Sequence, residues 1–188
     1  MLNLLQELCA CSGVSSFEDE VRACIRAHAQ PYADEIRVDA LGNLIVKKRG
    51  KKATGDKLVL CAHMDEVGLI VRHITDEGYL KFSAVGGIDR RVLIGKPVKV
   101  GEKGLPGVIG LKAYHLVSAE EEKVVPKLDD YYIDIGARSK AEAQALVSLG
   151  DCAVFESDWV EFGQGMVKAK ALDDRAGCAV LLKLLEEE

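Results

Sequence analysis

Along the first eleven residues Leu4, Leu5 and Leu8 fall at helical spacing, and Gly13 punctuates the end of that pattern. Ser15 stands three residues before Glu18, an arrangement in which hydroxyl and carboxylate reciprocally satisfy the free backbone donors of a helix start, so a second helix is expected to open there. Its apolar stripe is Phe17, Val21, Cys24, Ile25 and His28, and it stops near Pro31, which cannot continue a helical hydrogen-bond ladder. Ile36 and Val38 alternate with charged neighbours as a half-exposed strand does. Gly42-Asn43 supplies a turn, and Leu44-Ile45-Val46 returns as a second strand. The basic stretch from Lys47 to Lys52 reads as a solvated hairpin tip rather than a binding patch. Leu58-Val59-Leu60-Cys61-Ala62 is apolar without alternation, the pattern of a strand covered on both faces.

From about residue 69 to 156 the texture changes to short β-like pieces: Leu69 to Ile74, Tyr79 to Ala84, Pro97 to Val100, Val108 to Leu111, Tyr132 to Ile135 and Ala153 to Phe155. Glycine-rich turns such as Gly86-Gly87 separate them, and a helical pattern occurs only at Lys140 to Leu149, so this part predicts a small β-barrel or sandwich. The last segment returns to Val167-Lys168-Ala169, then Ala171 to Arg175. The run Ala176 to Leu185 that follows is apolar almost all round, which predicts a helix deep in a sheet's covering layer. The chain thus reads as an α/β domain that is left for a β insertion and then resumed.

Charge narrows the partners. The 188 residues carry 25 Lys plus Arg against 30 Asp plus Glu, a formal net charge of −5, which argues against nucleic acid and anionic membranes. No run approaches the roughly 18 apolar residues of a membrane span. The start, MLNLLQELCACSG, lacks a basic leader and is interrupted by Glu7, so a cytoplasmic location is expected. The six cysteines (Cys9, Cys11, Cys24, Cys61, Cys152, Cys178) form no C-x-x-C and read as buried free thiols; Cys9 and Cys11, two apart on a helix, face different ways and do not make a metal pair.

Two places concentrate groups capable of chemistry. His63-x-Asp65 follows the apolar run directly, where ligands bind beyond the carboxyl end of a central strand in an open α/β sheet. Asp173-Asp174 stands at the mouth of the buried helix. A neutral imidazole and a carboxylate are natural ligands for zinc or a similar ion. Asp65, two residues beyond His63, emerges on the same side in extended geometry and can take the second imidazole N–H. A hydrogen-bonded structural histidine and an Asp-Asp helix cap account for the same residues, so pattern alone leaves both readings open. His28 reads as a partly buried packing residue, His73 as an exposed strand residue and His115 as a loop residue. Asp129-Asp130 offers paired carboxylates of the kind glycoside hydrolysis uses, but adjacent strand residues point to opposite faces. Glu120 to Glu122 and Glu186 to Glu188 read as solvated.

Five blocks in order, Ala62 to Gly68 (AHMDEVG), Val85 to Gly95 (VGGIDRRVLIG), Gly107 to Gly110 (GVIG), Pro126 to Ala137 (PKLDDYYIDIGA) and Lys170 to Gly177 (KALDDRAG), resemble the glutamyl-aminopeptidase-like, tetrahedral (TET) aminopeptidases over essentially the whole chain. The resemblance implies a cytosolic aminopeptidase that takes peptide substrates and uses two divalent metal ions, zinc or cobalt. The implied fold is an αβα-sandwich peptidase domain (1–67 and 157–188) interrupted by a β-barrel-like dimerisation domain (68–156). It implies that His63 is a metal ligand, that Asp173 bridges both metals, that Asp65 is the active-site residue orienting His63, and that the Asp173–Asp174 peptide is cis. It further implies homo-oligomers, dimers that assemble into a dodecamer. The family's general-base glutamate matches nothing here; its pattern continues with a Glu-Glu pair, another acidic ligand and a second histidine, whereas this sequence stops at Glu188. An N-terminal portion, inactive by itself, is therefore expected. The competing expectations are a non-catalytic oligomerisation or peptide-binding fragment and a glycoside hydrolase.

Overall fold

The computed structural model describes residues 1–51 and 57–187. Contacts divide the chain into two units, Met1–Glu66 with Asp158–Glu188, and Val67–Ser157.

In the first unit, α1 (Leu2–Ala10) buries Leu4, Leu8 and Cys9, and α2 (Asp19–Ala29) buries Val21 and Ala29. The second helix begins later than the Ser15/Glu18 pattern predicts, with Glu18 as its N-cap. The reason is that Val14 forms a parallel bridge with Glu66 and the Ser15 hydroxyl donates to Asp65, so that serine is engaged elsewhere; Ser16 turns the chain at φ +74°. Phe17 therefore precedes the helix and is half exposed. Strands β1 (Glu35–Val38) and β2 (Leu44–Lys47) pair antiparallel, from Glu35 opposite Lys47 to Val38 opposite Leu44. Their turn is fixed by Asp39, whose carboxylate accepts the Leu41 and Asn43 N–H groups, while Gly42 takes φ +87°, a conformation cheap only for glycine.

Two expectations fail in this region. Lys47 to Lys51 is exposed but is no hairpin tip: Lys47 ends β2, and Lys48 donates to the carbonyls of Leu185 and Glu187 at 2.7 and 2.5 Å. A cation there satisfies the free carbonyls at a helix C-terminus; Lys52 lies outside the described residues. The run Leu58 to Ala62 is not a strand, and Leu58 and Val59 are 85% and 76% exposed. Its composition demands cover on both faces, but among the described residues no strand lies beside it, because β1 and β2 pair only with each other.

In the second unit six strands close a barrel: β3 (Gly68–Ile74), β4 (Leu80–Val85), β5 (Pro97–Val100), β6 (Leu105–Gly110), β7 (Tyr132–Asp134) and β8 (Cys152–Phe155), in the order β3-β4-β7-β6-β5-β8. Every pairing is antiparallel. Alternation does the sorting: in β5, Val98 and Val100 turn into the core while Pro97 and Lys99 face outward. Leu69, Phe82, Ile109, Ile133 and Ala153 fill the same interior. Strand β6 starts three residues before its apolar run, since Pro106 and Gly107 pair with Lys99 and Val98 without looking like strand residues. At Gly110 a Cβ would stand 2.5 Å from the Tyr132 ring, so only glycine lets that ring lie on the strand. The helical pattern at Lys140 to Leu149 yields only α3 (Lys140–Gln144), capped by Ser139, whose hydroxyl accepts the Glu142 N–H.

The chain then returns to the first unit through the hairpin β9 (Val160–Phe162) and β10 (Met166–Lys168), and ends in α4 (Leu172–Glu186). This helix packs Cys178, Ala179 and Leu182 against Leu4, Leu8 and Ala29. Its opposite face, with Val180 and Leu184, is half exposed, so the all-round burial expected of it is not met. All six cysteines are free; Cys9, Cys11 and Cys178 are buried, Cys24 and Cys152 partly so, and Cys61, sitting in the unpaired apolar run, is exposed rather than buried. No helix among the described residues is long and apolar enough to cross a membrane. The fold is thus mixed α/β with a closed six-stranded barrel.

Candidate functional site

Within the first unit, His63 and Asp173, 110 residues apart in sequence, face each other, with His63 Nε2 2.9 Å from Asp173 Oδ1. The other ring nitrogen, Nδ1, lies 3.1 Å from Asp65 Oδ1, and Asp65 Oδ2 accepts the Ser15 hydroxyl. The imidazole therefore sits between two carboxylates at an open surface, its side chain 55% exposed and that of Asp173 95%. Desolvation pulls the His63 pKa down, but hydrogen bonds to Asp173 and Asp65 and their charges outweigh it, and the net direction is upward. The Asp65 carboxyl is held below its ordinary value, first by the Ser15 hydroxyl and then, against some desolvation, by His63.

What aims these groups is a buried charge network beneath them. Glu66, next to Asp65, is buried; its Oε1 accepts Lys170 Nζ at 2.6 Å and the Gly13 N–H at 3.1 Å, and Arg175 Nη2 lies 3.7 Å away. Arg175 is fully buried and donates through Nη1 to the Leu8 carbonyl at 2.5 Å, while Lys170 also donates to the Cys11 carbonyl at 2.6 Å. Lys170 and Arg175 flank Asp173, so one carboxylate ties the segment carrying His63 and Asp65 to the segment carrying Asp173. Gly13 makes room for this: a Cβ there would stand 2.7 Å from Arg175 Nη2. Arg175 Nε and Nη2 have no hydrogen-bond partner among the described residues.

The two aspartates separate into different tasks. Asp174 Oδ1 accepts the Gly177 N–H at 2.9 Å and so caps the helix, whereas Asp173 turns its carboxylate to His63. Both have non-helical backbone angles and the peptide bond between them is cis, as the resemblance implies, so regular helix begins at Arg175.

The remaining sequence candidates stand apart from this arrangement. His28 pairs with Glu7 at 2.9 Å, and His73 and His115 are exposed. Asp129 and Asp130 occupy a 3₁₀ turn rather than the strand expected. Asp129 pairs with Arg72, and Asp130 accepts the Lys127 N–H at 2.7 Å, so each carboxylate has a structural partner. Sequence reasoning does not single out Glu66, Lys170 and Arg175, because each stands among other charged residues and nothing local marks it for burial. Nor does it mark Ser15 as the partner of Asp65.

As a donor set, one imidazole nitrogen and one carboxylate oxygen on the same side, with a second carboxylate behind the ring, fit a borderline divalent ion such as zinc. A family model described as M42 glutamyl aminopeptidase matches residues 42–188. A lysyl aminopeptidase of Pyrococcus furiosus is 30% identical over 177 residues, covering 92% of this chain and 50% of the relative. Among solved structures, a TET aminopeptidase from a marine sediment archaeon of the Thaumarchaeota superposes with a TM-score of 0.91 at 37% identity, covering 98% of this chain and 52% of that one. The TET1 peptidase of Pyrococcus horikoshii, described as assembling into a tetrahedron or a large octahedral shell, gives 0.86 at 40% identity, covering 99% and 56%. The chain spans about half the length of the curated relatives it matches.

Proposed function

This chain belongs to the M42 glutamyl aminopeptidase family, and on that premise we propose that it carries part of the active site of a metal-dependent aminopeptidase releasing N-terminal residues from peptides. The observation that carries this reading is the His63 imidazole held between Asp65 and Asp173. In this reading His63, through Nε2, and Asp173, through its carboxylate, would help hold two divalent ions of zinc or cobalt type. Such ions supply Lewis acidity that polarises a peptide carbonyl and acidifies water. Asp65 keeps the imidazole proton on Nδ1, which leaves the Nε2 lone pair free, and the Ser15 hydroxyl keeps Asp65 ionised and oriented. Glu66, Lys170 and Arg175 hold the two segments in register.

One histidine and one carboxylate fall short of the three or more protein ligands usual in a catalytic zinc site, and we assign no general base to this chain. The 188 residues alone are therefore proposed to be inactive. The unit made of 1–66 and 158–188 is assigned as part of an αβα peptidase domain, and the unit at 67–157 that holds the barrel as the dimerisation domain of a larger homo-oligomer. The assembly of the Pyrococcus horikoshii relative into a tetrahedron or a large octahedral shell supports the homo-oligomer.

The test is to express the complete parent protein, strip it with a chelator, and assay chromogenic aminoacyl substrates as zinc or cobalt is restored. Activity should return with metal, His63→Ala and Asp173→Asn should abolish the return, and the isolated chain should show no turnover. Full activity in chelator, or in either variant, overturns the reading.

A further inference from the structure

Away from His63 and Asp173, α1 and α2 bring together three groups that the peptidase reading leaves unused. Cys24 and His28 are four residues apart on α2, hence on one face, and Glu7 on α1 meets both. Glu7 Oε2 lies 2.9 Å from His28 Nε2, and Glu7 Oε1 lies 3.6 Å from Cys24 Sγ. One ligand atom from each side chain falls within 4.8 Å of the others. A tetrahedral zinc ion with bonds of about 2.0–2.3 Å separates its ligand atoms by about 3.3–3.8 Å. The two Glu7 contacts are made by different carboxylate oxygens, so ligation by one of them needs a small rotation of the carboxylate and closure of separations that all lie within 4.8 Å.

We propose that Glu7, Cys24 and His28 form a second cation site, distinct from the His63–Asp173 centre, that takes a thiophilic divalent ion of the zinc type. The donor set decides the class of ion: thiolate and imidazole favour zinc over magnesium or calcium, which prefer oxygen alone. Cys11, one helical turn beyond Glu7, donates its thiol to the Glu7 carbonyl at 3.4 Å and stands outside the set. Cys24 is thus the one thiol in the set, which holds three protein donors. An ion held there clamps α1 to α2. Because α1 also supplies the Leu8 carbonyl to Arg175, the clamp stabilises one wall of the buried network. The competing account is that Glu7 and His28 form an ordinary interhelical ion pair beside two unreactive thiols.

The test titrates Co²⁺ into the chelator-stripped 188-residue chain carrying His63→Ala and Asp173→Asn, so that the first centre is silent. The site predicts a saturable thiolate-to-cobalt charge-transfer band at one ion per chain, bleached by Zn²⁺. Cys24→Ser should abolish the band, and His28→Ala should weaken affinity by more than the roughly 10–100-fold that loss of an outer-shell partner costs. Glu7→Gln, at an exposed position, should weaken it likewise and serves if Cys24→Ser fails to give a native circular dichroism spectrum. Absence of the band, its survival in Cys24→Ser, or an unchanged affinity in both His28→Ala and Glu7→Gln overturns the proposal.

Discussion

Replacing Glu66 by Gln removes the single negative charge from a buried set that also holds Lys170 and Arg175. In the parent the Glu66 side chain is 4% exposed and that of Arg175 is fully covered, so neither water nor salt can take over the lost pairing. Removing one partner of a buried ion pair costs about 3–5 kcal/mol, because the remaining charge stays desolvated. Glutamine keeps an oxygen that can still accept the Gly13 N–H and Lys170, which places the expected loss near the lower end, about 3 kcal/mol. The chain's single tryptophan, Trp159, belongs to the same unit, so its fluorescence during urea unfolding reports on this network. With a urea slope of about 2 kcal/mol/M for a protein of this size, the midpoint should fall by about 1.5 M. The double variant Glu66→Gln with Arg175→Met should lose less than the two single losses added together, by about 0.5–3 kcal/mol, because it removes both charges. A Glu66→Gln unfolding free energy within about 0.5 kcal/mol of the unsubstituted chain, the range of an ordinary surface change, would refute the idea that this carboxylate neutralises buried cations.

Gly13→Ala should destabilise the same unit by about 1–3 kcal/mol, read by the same transition, since its methyl group meets Arg175 at 2.7 Å and Val21 at 2.9 Å. Gly110→Ala should disturb the tyrosine near-ultraviolet circular dichroism of the barrel, because the new carbon would collide with the Tyr132 ring; an unchanged spectrum and stability would show that the ring moves aside freely. Burial first, then Cys11 and Glu7, pushes the Cys24 thiol up to about 12, and burial pushes Cys178 up to about 11. In the metal-free chain both should therefore be alkylated more slowly at neutral pH than exposed Cys61. Their rates should rise about tenfold per pH unit while the thiolate fraction remains small, as followed by mass spectrometry.

Local pattern carried the barrel further than it carried the first unit. Alternation alone marks Pro97–Val100, and the strand observed there has the same bounds, because each residue's face follows from its neighbours two away. Leu58 to Ala62 forms no strand because an apolar run states that cover is needed without saying what provides it; among the described residues no strand does, and of the run only Ala62 packs against the helical core. The Ser15/Glu18 pattern is a genuine local option, but a contact with Asp65, 50 residues away, claims the hydroxyl instead. The closeness of His63 and Asp65 follows from their spacing. Asp173 could be placed beside them only by resemblance, since no periodicity spans 110 residues. Glu66, Lys170 and Arg175 were invisible for the same reason: each becomes a partner only when three distant segments converge.

Closure of the barrel constrains how the second unit can meet another molecule. Each of its six strands already has a neighbour on both sides, so no edge is left to template an incoming strand. Any interface founded on this unit must therefore be written in side chains and loops, where single substitutions can tune or abolish it. The extended segment at 58–62, exposed at Leu58 to Cys61, is the opposite kind of surface. Among the described residues no strand pairs with it, and a main chain of that kind beside apolar side chains is a template that discriminates poorly between a proper neighbour and a stray one.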